Sequence, residues 1–71
     1  MRVIRRMLNA GWTFKIEFIS STQEYYGEIE KEFLNARVHC SDFAGSITEL
    51  ADLLNKRALE WEKHERRTPP E

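Results

Sequence analysis

The stretch from Gly45 to Arg67 constrains the fold more than any other part of the chain. Ser46 followed by Glu49 fits a capping box: the serine hydroxyl takes a free amide of the first turn and the glutamate reaches back. At about 100° per residue, Ile47, Leu50, Ala51, Leu54, Ala58 and Trp61 fall within one wedge of the helix wheel. Asp52 stands before Lys56, and Glu62 before Arg66, in the order that favours ion pairs one turn apart. Glu49 and Asp52 near the start, with Lys63, Arg66 and Arg67 at the end, complement the helix dipole. The reading is a helix of about six turns. A helix with one apolar stripe needs a surface to lie on.

The preceding residues supply that surface. Over residues 12–19 Phe14, Ile16 and Phe18 alternate with Thr13, Lys15 and Glu17. Over residues 24–31 Tyr25, Gly27 and Ile29 alternate with Tyr26, Glu28 and Glu30, and over 36–43 Ala36, Val38 and Cys40 alternate with Arg37, His39 and Ser41. Period two marks half-buried strands. The polar breaks at Ser20 to Gln23 and Glu32 to Asn35 read as loops. Four-residue loops closing antiparallel hairpins set Phe18 against Tyr25 and Phe14 against Ile29. On the other face they set Lys15 against Glu28 and Glu30 against Arg37. A solvated sheet face prefers unlike charges across strands, so the glutamates read as a neutralised central strand rather than an acidic site.

Residues 2–10 fit a short helix, with Val3, Ile4, Met7 and Leu8 on one side and Arg2, Arg5, Arg6 and Asn9 on the other. Gly11 stands where a left-handed residue ends such a helix. A strand is the alternative reading for this segment. The expected fold is therefore α+β, in the order α-β-β-β-α, with a three-stranded antiparallel meander packed on a long C-terminal helix. Residues 1–67 form a single small domain, and 68–71 read as a disordered tail.

Composition narrows the function classes. The net charge of −1 gives no global pull toward nucleic acid or membrane, so either would need a local patch. No apolar run is long enough to span a bilayer. The single cysteine, Cys40, excludes an internal disulfide and suits a cytoplasmic protein. His39, Cys40 and His64 are the only soft metal ligands, and they lack ligand spacing; His39 and Cys40, adjacent on a strand, point to opposite faces. No metal or other cofactor is expected. The carboxylates lie on solvated faces, Cys40 reads as a packed core thiol, and no glycine loop cradles a phosphate, so no catalytic residue is assigned.

Binding surfaces remain. Phe33 and Leu34 stand at a hairpin tip where polar residues are usual; they either fold under the sheet edge or contact a partner. With Tyr26 they form the candidate partner-binding set. Arg2, Arg5 and Arg6 form a candidate anion or nucleic-acid surface, set against the plainer reading of an ordinary polar helix face.

Ile4-Arg5-Arg6-Met7-Leu8-Asn9-Ala10-Gly11-Trp12 resembles the opening helix and Gly-aromatic turn of HicA-type mRNA-cutting toxins. Tyr25-Tyr26-Gly27-Glu28 and Gly45-Ser46-Ile47-Thr48-Glu49-Leu50-Ala51 resemble the HicB-type antitoxin. The element order is that of the double-stranded-RNA-binding fold. Ser20-Ser21-Thr22-Gln23 lacks the histidine that carries the toxin's catalysis, and a DNA-binding module of the antitoxin kind is not expected after the last helix. The resemblance implies a partner-binding role. The expectation is a non-catalytic protein–protein interaction module, an inhibitor or antitoxin-like adaptor, with an RNA-binding domain or a homodimeric structural protein as alternatives.

Overall fold

Alternation along three consecutive segments produces a three-stranded antiparallel meander, with one helix before it and one after. The computed structural model describes residues 2–34 and 36–67. Its elements are α1 (Arg2–Asn9), β1 (Thr13–Ile19), β2 (Glu24–Glu32), β3 (Arg37–Ala44) and α2 (Ile47–Arg67), and the strand order is β1-β2-β3. The α+β architecture expected from the sequence is the one observed, with residues 2–9 helical rather than extended. The tail expected over 68–71 lies outside the described residues. No helix among the described residues is long and apolar enough to cross a membrane.

α2 starts where the sequence places its cap: the Glu49 amide donates to Ser46 Oγ at 3.2 Å, and the Leu50 amide to the Ser46 carbonyl at 3.0 Å. Its middle seals the core. Leu50, Ala51, Leu54 and Ala58 are fully buried, whereas Ile47 and Trp61, the two ends of the predicted stripe, stay 39% and 45% exposed. The stripe is sealed in its middle and only partly covered at these two positions. It approaches β2 closely because β2 carries Gly27 there. A Cβ at that position would lie 2.8 Å from Leu50 Cδ2 and 2.9 Å from Leu54 Cδ1.

Between β1 and β2 the register is the expected one, with Phe14 opposite Ile29, Lys15 opposite Glu28 and Phe18 opposite Tyr25. Between β2 and β3 it differs by two residues. Arg37 stands opposite Glu32, and His39 takes the place opposite Glu30. The reason is Phe33. Its ring is drawn into an aromatic cluster with Trp12 and Trp61, so β2 runs on to Glu32, and the turn closes one residue later through the Phe33 amide and Ala36 carbonyl at 2.7 Å. A two-residue shift leaves every side chain on its predicted face. Arg37 Nη1 still reaches Glu30 Oε2 diagonally, at 3.7 Å.

Trp12 was not among the expected core residues, yet it is 2% exposed. Gly11, with φ of +100°, turns the chain out of α1 and lays Trp12 beneath α2. There its indole N–H donates to Glu62 Oε2 at 2.8 Å.

Candidate interaction surface

Two helices of unequal length share the inner face of the sheet. α2 packs on β2 and β3 and does not approach β1; α1 packs on α2 and β1. A helix is about 10 Å across and strands lie about 4.8 Å apart, so one helix covers about two strands. The third strand depends on α1, whose eight residues span only about 12 Å. α1 ends at the turn into β1, so it covers the start of that strand and leaves the rest bare. Phe14 is half-buried, whereas Ile16 is 38% and Phe18 52% exposed. Phe18 rests against Tyr25, with ring centroids 5.0 Å apart.

α1 adds an apolar flank to this strip. Arg6 turns toward α2, donating from Nε to Asn55 Oδ1 at 2.7 Å and from Nη1 to Glu62 Oε1 at 3.1 Å, and Met7 is fully buried. Helical spacing then sets Ile4 and Leu8 on the side away from α2, over the free edge of β1. Leu8 is 51% exposed. The sequence marked Ile16 and Phe18 as inward-facing but not as uncovered. The available signal was arithmetic: three strands, one long stripe, and a first helix too short to cover the third.

The expected partner-binding residues separate. Phe33 belongs to the core edge, 5.8 Å from Trp12 and 6.5 Å from Trp61 between ring centroids, with Lys31 Nζ 5.0 Å above its ring. Leu34 beside it is 95% exposed. Tyr26 lies on the opposite, outer face of the sheet, its ring 4.9 Å from Phe43. The three residues do not form one surface.

The expected arginine surface also divides. Arg2 and Arg5 are exposed, but Arg6 is committed to Glu62 and Asn55, so it is a structural clamp rather than part of a free cationic face. Glu62, placed by the sequence one turn before Arg66, is turned inward to Arg6 and Trp12; the Arg66 side chain lies outside the described residues. Burial works against its charge, yet the hydrogen bonds from Arg6 and Trp12 and the nearby guanidinium hold its carboxyl below the usual range.

On the outer face Glu28 accepts from the Tyr26 hydroxyl at 2.8 Å and lies 3.2 Å from His39 Nε2. The Tyr26 bond, with help from His39, lowers the Glu28 carboxyl; the same Tyr26–Glu28 bond raises the Tyr26 phenol. A stabilised carboxylate on an open face is a weak general base. Cys40 faces inward as expected, and burial raises its thiol, the opposite of nucleophile activation. Among the described residues no three His, Cys, Asp or Glu side chains converge on a metal position. A depression of about 350 Å³ on α2, between Lys56, Arg57, Leu59, Glu60 and Lys63, has walls from that helix alone.

In comparisons with protein-family models, with curated proteins and with solved structures, nothing matches this chain.

Proposed function

We propose that this domain is a non-catalytic protein–protein interaction module that works through the bare inner strip of β1 and the strand's free edge. One observation carries the reading: Ile16 and Phe18, 38% and 52% exposed, stand on the inner face of β1 beyond the cover of either helix, along the free edge of the sheet, with the 51% exposed Leu8 on α1 toward the start of the same strand. Exposed apolar surface beside an open strand edge suits addition of a partner's strand. The inhibitor or adaptor role suggested by the antitoxin resemblance is a particular form of this reading. An RNA-binding role through α1 has less support, because Arg6 is bound within the fold.

The test is the double variant Ile16→Ser/Phe18→Ser. Neither residue is in the buried core, so the variant should keep its circular dichroism and most of its stability. Crosslinking in the source cells should join the native chain to a polypeptide, itself or another, and the double variant should lose that product. An unchanged crosslinking pattern would show that the strip does not bind.

A further inference from the structure

The sequence of β1 reads almost the same in both directions: Phe14-Lys15-Ile16-Glu17-Phe18 has apolar residues at its centre and ends, with opposite charges between. We infer that β1 pairs antiparallel with β1 of a second copy, about a two-fold axis at Ile16, giving a continuous six-stranded sheet. This rests on the reading of the β1 strip as a binding surface and names its occupant.

Backbone geometry fixes which pairings are open. The Phe33 amide donates across to Ala36, so the odd residues of β2 direct their N–H and C=O groups to β3 and the even ones to β1. Tyr26 is opposite Glu17 and Glu28 opposite Lys15, so the odd residues of β1 are the ones bonded to β2. Phe14, Ile16 and Phe18 therefore direct their backbone groups outward, at the free edge. An antiparallel two-fold on Ile16 opposes Ile16 to itself and Phe14 to Phe18. These are pairs in which both partners have free groups, as hydrogen-bonded pairs require. Lys15 and Glu17 then meet as the intervening non-hydrogen-bonded pairs, where side chains approach most closely.

Charge selects this register over its neighbours. Centring on Lys15 would oppose Lys15 to Lys15, and centring on Glu17 would oppose Glu17 to Glu17. Only the Ile16 centre faces Lys15 with Glu17 in both directions. It also puts Phe18 of each copy next to the other's Phe14, the position beneath α1, so Leu8 and Ile4 of one copy extend over the bare Phe18 of the other. Each copy thus supplies the cover that the other's short α1 cannot give. The contact is self-complementary, as a closed two-fold interface must be.

The other edge is built differently. β3 directs Asp42 onto its inner face, where Arg57 Nη2 meets it at 3.5 Å. An inward charge is a common guard against edge pairing. β1 carries Phe14, Ile16 and Phe18 at the corresponding inner positions and no such guard.

Sedimentation equilibrium of the full chain across the micromolar range tests the proposal. The native protein should be a dimer. Glu17→Lys and Lys15→Glu each place like charges across the interface twice and should weaken dimerisation roughly tenfold or more. The combined Lys15→Glu/Glu17→Lys chain should dimerise again, and an equimolar mixture of the two single variants should form a heterodimer. Glu17→Lys is the cleaner single change, because Lys15 also faces Glu28 within the chain. A monomer at every concentration overturns the proposal. So does a dimer indifferent to both charge changes. In the first case a crosslink to another polypeptide, lost in Ile16→Ser/Phe18→Ser, would leave the interaction-module reading standing.

Discussion

Gly27 shows how one residue sets the spacing of two elements. Its lack of a side chain lets Leu50 and Leu54 of α2 reach the β2 backbone, where an added methyl would sit under 3 Å from both. Both leucines are fully buried, so neither can move aside without disturbing the core. Gly27→Ala should therefore destabilise the domain by about 1–3 kcal/mol, the cost of overpacking a filled site. The expected outcome is a lower urea midpoint at unchanged slope. A neutral or stabilising effect would mean that α2 shifts freely on the sheet. Other residues matter by exposure rather than contact. Leu34 and Phe33 are neighbours in sequence with opposite fates, and nothing local to the pair distinguishes them.

At the scale of elements, the periodic segments were legible and their coverage was not. Alternation told which side of β1 faces inward because strand side chains alternate strictly. It could not tell that α2 stops at two strands, leaving Ile16 and Phe18 bare. The β1–β2 register followed from a polar four-residue turn and cross-strand charge. The β2–β3 register moved by two because Phe33, placed in the loop by pattern, gains more by stacking on Trp12 and Trp61. The clamp of Arg6, Trp12 and Glu62 joins residues some fifty positions apart, and no local period encodes it. The hairpin tip yields a paired prediction. Phe33→Ala should cost about 2 kcal/mol, below the roughly 3–5 of a fully buried phenylalanine, because it is only partly covered. Leu34→Ser should stay within about 0.5 kcal/mol of the native protein. Comparable losses in thermal denaturation of the two variants would contradict this division of the tip.

For the molecule as a whole, the clamp makes stability depend on pH in a definable direction. Arg6 from α1 and Trp12 from the following turn both donate to Glu62 of α2, so one carboxylate ties the first dozen residues to the last helix. Burial opposes the charge of Glu62, but its donors outweigh burial, and its folded value lies below the ordinary 4.5. A depressed folded value contributes stability that is fully present above the unfolded value and lost as pH falls through the folded one. The domain should therefore weaken as pH drops below about 4.5. Glu28 is lowered too, but it stands on the open sheet face, where solvent screens its pairing, and it contributes little. Glu62→Gln removes the charge and keeps an acceptor for the Trp12 indole. It should cost about 1.5–3 kcal/mol near neutrality, the range for hydrogen bonds to a charged group. Its stability curve should converge on the native one in acid, where the native carboxyl is itself protonated. Urea unfolding of both chains between about pH 7 and 3 checks this. Curves that stay parallel throughout would assign the loss to packing around residue 62 rather than to its ionisation.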